Sequence, residues 1–130
     1  MLICMSTRAV IRFATREEGV SFSEHPKKWH AQLYKHHDGY PSGLGLDIAN
    51  SLVDSTLIGG LEIDSLDTRR GDLNYIYYIW QHLDKSTWIS VFEVSDEVIC
   101  DQPNCCKKLV RKDKCIFVGE PMDLQTKYDH

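Results

Sequence analysis

The sequence predicts an α+β protein: an antiparallel sheet of about four to five strands with one main helix packed on one face, in the order β-β-α-β-β-β. Three observations support this prediction. Two early stretches alternate apolar and polar residues, one stretch near the middle has helical spacing, and two later stretches are rich in aromatic and β-branched residues. A length of 130 residues suits one domain over residues 1–130, because two domains would each be too small for a good core.

The first two predicted strands are residues 8–13 and 29–35. Both alternate with a period of two, which is typical of strands with one face on the core and the other toward solvent. The odd-numbered positions are the more apolar and are predicted to face the core. Residues 15–28 contain glycine, proline and several charges, so we expect a long hairpin loop between the strands.

The main helix is predicted from Leu44 onward, where the apolar spacing changes. Asp47 lies in its first turn, where a negative charge suits the positive end of the helix. The two glycines at 59–60 are expected to end it. Residues 61–71 are ambiguous between packing and a solvated connection. The apolar stripe of the helix consists of Ile48, Ala49, Leu52 and Val53.

The remaining strands are predicted at residues 73–80, 88–94 and 115–118. Residues 73–80 are almost continuously aromatic and β-branched, so both faces of that strand are expected to be covered. Tyr77, Ile79 and Phe92 are predicted to lie under the helix.

Both ends of the chain are expected to be peripheral to the domain. Residues 123–130 are polar and are predicted to fray. Residues 1–4 precede the alternation that begins at Arg8 and are predicted to be an extension outside the core.

The leading candidate site is the loop before the helix. Two imidazoles and a carboxylate adjoin glycines at a helix start, where backbone N–H groups can bind an anion and a histidine can transfer a proton. The competing interpretation is a stiff turn that bends at Asp38-Gly39 and packs Tyr40. His36 is expected to be exposed and His37 to pack toward the helix. The candidate ligand-binding residues are His36, His37, Asp38, Tyr40, Ser42, Gly43 and Gly45.

The five cysteines are an odd number in a sequence without an export signal, so reduced thiols in a cytoplasmic protein are expected. Four of them could supply thiolates to zinc, but their spacing departs from paired Cys-x2-Cys halves. A redox-labile disulfide is a further alternative. The sequence therefore favours no metal and no cofactor. The four clustered cysteines are Cys100, Cys105, Cys106 and Cys115.

A basic run at residues 107–114 is the main feature that could contact nucleic acid. Aromatic interleaving is missing and the net charge is −4, so a solvated hairpin tip is favoured over nucleic-acid binding. The aromatic residues of the later strands are expected to pack in the core rather than stack on bases. No stretch approaches the ~18 apolar residues of a membrane helix, so no membrane partner is expected.

Three segments resemble a family of small uncharacterised proteins from bacteria, phages and other mobile elements. The segments are residues 5–9 (Met-Ser-Thr-Arg-Ala), 34–45 (Tyr-Lys-His-His-Asp-Gly-Tyr-Pro-Ser-Gly-Leu-Gly) and 72–77 (Asp-Leu-Asn-Tyr-Ile-Tyr). Members typically begin Met-(Gly/Ser)-Thr-Arg and carry a His-Trp-Asp-Gly-Tyr-Pro-(Ser/Glu)-Gly-like loop before a helix, and here His37 stands at the Trp position. The resemblance implies a fold and a bacterial or phage setting, and no activity.

Two classes of function follow from these observations. The favoured one is a binding or interaction protein that engages a host protein or a small anionic or nucleotide ligand through the His36 to Gly45 loop. The alternative is a small hydrolase or transferase that uses His36 or His37 with Asp38 for acid–base chemistry on a phosphorylated ligand. A homodimer is compatible with both, and the catalytic residues of the second class stay unassigned.

Overall fold

The computed structural model describes residues 7–16, 21–68, 70–71, 73–81, 86–99 and 108–128. A π-helical turn, Pro41–Gly45, leads directly into the first helix. The strands are β1 (Ala9–Thr15), β2 (Ala31–Lys35), β3 (Leu61–Asp64), β4 (Tyr75–Gln81), β5 (Thr87–Ile99) and β6 (Lys108–Gly119), and the helices are α1 (Leu46–Asp54) and α2 (Pro121–Tyr128).

The six strands form one mixed sheet in the order β3-β2-β1-β4-β5-β6. The α+β class is confirmed, but the prediction of a wholly antiparallel sheet of four to five strands is wrong. β1 and β4 are parallel, from Ala9 opposite Tyr75 to Thr15 opposite Gln81, and the other pairs are antiparallel. After β3, at the edge of the sheet, the chain crosses back over β2 and β1 to reach β4. β4 therefore lies beside β1 and runs in the same direction.

Two elements lie in segments that the sequence analysis did not assign to a helix or strand. β3 falls within the ambiguous residues 61–71, and α2 occupies most of the segment that was expected to fray. Leu124 of α2 is fully buried, so the prediction that residues 123–130 are peripheral is wrong for residues 123–128. α1 ends at Asp54 and not at the glycines, because Ser55 adopts a left-handed conformation (φ 59°) that caps it. Residues 1–4 lie outside the described residues.

The helix face of the sheet is the side covered by α1 and α2. Tyr77 and Ile79 of β4 lie on this face, as predicted, and so does Leu33 of β2. The odd-numbered residues of β1 pack here as expected, because alternation along the strand puts them on one side. The buried members are Ala9, Ile11, Leu44, Ile48, Ala49, Tyr77, Ile89, Val91 and Leu124.

The loop face is the opposite side, against which Phe22 and Trp29 of residues 21–30 pack. The even-numbered positions of β1 and β2 were predicted to face solvent, and this is wrong because the loop covers them. Phe92 also lies on this face and not under the helix. Both faces of β4 are therefore buried, as its sequence predicted. The buried members are Val10, Ala14, Tyr34, Leu73, Ile76, Tyr78, Trp80 and Phe92.

The strands β5 and β6 extend beyond the rest of the sheet. β4 pairs with β5 only from Thr87 to Glu93, whereas β6 pairs with β5 as far as Ile99. The last part of this pair is therefore a two-stranded ribbon. Residues 108–114 of the basic run lie in β6, so the expectation that they form a hairpin tip is wrong. The final strand is also longer than the predicted residues 115–118.

Candidate functional site

The predicted site loop begins with a sharp bend at Asp38, whose φ is +58°. The next residue, Gly39, packs closely against β1: its N–H donates to the Thr7 carbonyl oxygen at 3.0 Å. The Tyr77 hydroxyl donates to the Gly39 carbonyl oxygen at 2.6 Å. A Cβ on Gly39 would lie 2.8 Å from the Cβ of Ala9, so glycine is required there. These contacts fix the loop to two central strands.

Backbone N–H groups at the start of the helix already donate hydrogen bonds within the loop. The Gly43 N–H donates to the Tyr40 carbonyl oxygen at 2.9 Å, and the Leu44 N–H donates to the Asp38 carbonyl oxygen at 3.1 Å. A Cβ on Gly43 would lie 2.9 Å from the Tyr40 ring. Two N–H groups that an anion would need are therefore engaged within the loop. Gly45 is buried, while Ser42 is exposed.

The two histidines of the loop are both exposed. This confirms the expectation for His36, and the expectation that His37 packs toward the helix is wrong. His36 contacts the Tyr34 ring edge-on, and its Nε2 lies 3.0 Å from Oε1 of Glu62. Within the described ranges, neither histidine forms a hydrogen bond or ion pair with Asp38. The loop thus connects His36 to strand β3 and leaves the predicted acid–base pair apart.

Strand β3 is the edge of the sheet on this side and has the sequence Leu-Glu-Ile-Asp. Ile63 is 87% exposed although it is a large apolar residue in a strand. Natural edge strands are commonly protected by short length, charged side chains, proline or a bulge. β3 has only four residues and carries Glu62 and Asp64, but it has no lysine, proline or bulge. Leu57, shortly before the strand, is 98% exposed. A sheet edge with an exposed isoleucine is a feature that the sequence analysis did not predict, although residues 61–64 alternate apolar and acidic residues.

An apolar cleft of about 110 Å³ opens on the helix face beside β3. Leu52 of α1, Ile58 and Leu61 form one side of it, and Leu33 of β2 forms part of its floor. Leu33 is directly opposite Ile63 in the β2–β3 register, and opposed residues lie on the same face. Ile63 therefore extends the apolar surface of the cleft to the edge of the sheet.

A polar row crosses the loop face beneath the covering loop. Arg12 is 7% exposed, its Nε donates to Gln32 at 2.8 Å, and its Nη1 donates to the Tyr78 hydroxyl at 3.0 Å. Gln32 in turn donates to Asp64 of β3 at 2.9 Å. The Arg70 guanidinium beside Asp64 lowers the pKa of that carboxyl. The row satisfies buried polar groups and fixes the loop-face side of β3.

His25 links the covering loop to the same row. It stacks on Phe92 at 4.2 Å between ring centroids, and its Nε2 lies 3.0 Å from Oδ2 of Asp113. Its Nδ1 lies 2.7 Å from the Tyr78 hydroxyl. Because Arg12 donates to that hydroxyl, the O–H can donate to Nδ1, an arrangement that suits the neutral imidazole. Burial lowers the pKa of His25 despite the neighbouring Asp113.

Cys115 is the one clustered cysteine within the described residues, and it is a half-buried free thiol. Burial raises its pKa, which keeps it protonated and less reactive. Cys100, Cys105 and Cys106 lie outside the described residues, so the zinc and disulfide alternatives stay untested. In the part of the chain that is described, no three His, Cys, Asp or Glu side chains are grouped to hold a metal ion.

Comparisons with protein-family models, with curated proteins and with solved structures found no match to this chain. Of the helices in the described residues, neither combines the length and the apolar character needed to cross a membrane.

Proposed function

We propose that this protein is a binding protein that takes up an extended segment of another protein as an additional strand along the edge of β3. The single observation that carries this proposal is the β3 edge, with which no further strand of the described residues pairs and on which Ile63 is 87% exposed. An edge strand presents backbone N–H and C=O groups in a row, and only another extended chain pairs with all of them. As the sequence analysis favoured, this function is a binding function, but the binding surface is β3 and not the His36 to Gly45 loop.

The neighbourhood of β3 supports this class of partner. His36 and Glu62 lie exposed at the same edge, where they can contact side chains of an added strand. The apolar cleft next to Ile63 is deep enough for a side chain and too small for a nucleotide, because ligand pockets of that kind are typically about 300 Å³ or more. A peptide side chain fits this space better than a small phosphorylated ligand does.

The cellular setting is part of the same proposal. A bacterial or phage origin is what the resemblance of residues 5–50 and 72–79 implies, and a cytoplasmic location is expected from the odd number of cysteines. A host protein is the partner that we propose in this setting, whereas strand addition rests on the geometry of β3.

The test uses a library of displayed random peptides selected on the wild-type chain. Selected peptides should lose binding to Ile63→Lys, because a lysine on an edge strand opposes the addition of a further strand. The backbone amides of β3 should become protected from hydrogen exchange when a selected peptide is bound.

The matched control is Met122→Lys, which makes the same type of change at a residue of α2 that is 65% exposed and lies beside β6, at the opposite edge of the sheet from β3. It should retain peptide binding. If the selected peptides bind Ile63→Lys as well as wild type, or leave the β3 amides unprotected, the protein does not act through this edge.

A further inference from the structure

The two faces of β3 differ in chemistry, and an added strand would continue both. Leu61 and Ile63 lie on the helix face, next to the apolar cleft. Glu62 and Asp64 lie on the loop face, because side chains alternate along a strand. A partner strand must therefore present one kind of side chain to each face.

We infer that the segment bound at β3 alternates apolar with basic residues, and this inference rests on the function proposed above. On the helix face, an apolar side chain opposite Ile63 removes from water a surface that is now 87% exposed. On the loop face, a lysine or arginine opposite Glu62 meets a carboxylate whose side chain is 55% exposed. Opposite charges that face each other across two strands stabilise the pair.

Of the charged residues near this edge, Glu62 is the one that we expect to determine the charge preference for the bound segment. Asp64 is 4% exposed and is already satisfied by Arg70 and Gln32. His36 contacts Glu62 but is 46% exposed, so a stronger cation can displace it. Lys35 is on the helix-face side, where its Nζ donates to the Gly59 carbonyl oxygen at 2.7 Å. Within the four described residues of β3, Glu62 is therefore the accessible carboxylate on the loop face. The Arg70 guanidinium, 3.7 Å from the centroid of the Tyr34 ring, is a second cation beside His36 on that face.

A second copy of this chain is a poor occupant of the same edge. In a two-fold antiparallel pairing of β3 with itself, the helix faces of both copies lie on one side of the joint sheet. Glu62 is then opposite either Glu62 or Asp64 of the other copy, and like charges directly opposite destabilise a strand pair. A basic segment from another protein avoids this repulsion.

The experiment compares three short synthetic peptides that alternate valine with lysine, with glutamate or with threonine. Binding is measured by NMR titration of the β3 amides of the full chain. The lysine peptide should bind more tightly than the glutamate peptide by about two- to five-fold per exposed charge pair at low salt. In Glu62→Lys the order should reverse, and in Glu62→Gln the two peptides should become similar.

The charge-matched control is Glu24→Lys, an exposed residue adjacent to His25, which packs over β4 and β6 at the far side of the sheet. It should leave the preference unchanged. If all three peptides bind equally and Glu62→Lys has no effect, the inference is wrong while strand addition stands. If no peptide shifts the β3 amides, both the inference and the proposed function are overturned. Thermal unfolding of each variant confirms that the chain is folded in every titration.

Discussion

At the scale of single residues, Gly39 illustrates how the predicted site loop serves the fold. We expect Gly39→Ala to lower the free energy of unfolding by about 1–3 kcal/mol, because the new Cβ would meet both Ala9 and a backbone oxygen of Thr7 at less than van der Waals distance. Urea unfolding checks this value. Gly59→Ala is the control, since a Cβ there meets nothing within 4 Å, and its effect should stay within about 0.5 kcal/mol. Equal effects at the two positions would show that the loop does not pack on β1.

His25 is the residue at which pH should act on this fold. Its pKa is lowered in the folded chain by burial, and Asp113, Arg111, Arg12 and Tyr78 are the charged or titratable groups that face it. The folded state therefore favours the neutral ring. The stability that His25 contributes is fully present above its unfolded pKa of about 6.5 and is lost as the pH falls through the lower folded pKa.

The free energy of unfolding should accordingly decrease between pH 7 and pH 5, and less so in His25→Gln. The measurement is urea unfolding at several pH values in that range, for wild type and variant in parallel. Because all other residues are the same in both proteins, the difference between the two curves isolates His25. Parallel curves would mean that the ring is protonated as readily in the folded chain as in the unfolded one.

At the scale of elements, α2 depends on one buried side chain. Leu124 is fully buried between α1 and the sheet, so we expect Leu124→Ala to cost about 2–5 kcal/mol. Met122→Ala, at a residue of the same helix that is 65% exposed, should change stability by less than about 0.5 kcal/mol. Urea unfolding compares the two. A Leu124→Ala variant as stable as Met122→Ala would indicate that α2 is not docked.

The same elements show how far the sequence determines the fold. The strand alternation placed Ile11, Leu33 and Tyr77 on the helix face correctly, because period two is a property of the chain itself. The alternation did not reveal that residues 21–30 cover the other face, since coverage depends on a distant loop. Nor did it reveal α2, whose single buried residue, Leu124, gives no periodic stripe.

The candidate site, like the fold, was predictable only where local sequence determines it. His36 was predicted to be exposed, and it is, although Tyr34 on the same face is buried, because His36 lies just beyond the end of β2. The pairing of His36 with Glu62 depends on which strand lies beside β2, and residues 61–64 gave too short a signal to place β3 there. Exposure of Ile63 is likewise a property of the sheet order rather than of local sequence.

At the scale of the whole molecule, stability is expected to decrease from the centre of the sheet to the β3 edge. β1 and β4 lie at the centre and carry buried residues on both faces, so their amides should exchange with solvent only through global unfolding. β3 has four residues, one neighbouring strand and an exposed isoleucine, and its amides should exchange through local opening at a much lower free energy.

Native-state hydrogen exchange monitored by NMR tests this gradient directly. The free energy of opening should be greatest for Val10, Ile11 and Ile76, and it should be lower in β3 than in β2, β1 or β4. A bound partner strand should raise the values in β3 and leave those of the central strands at the global limit, since ligand binding stabilises the elements that it contacts. If β3 in the isolated chain were already as protected as β1, its edge would not be open, and a strand added there would gain little from pairing with it.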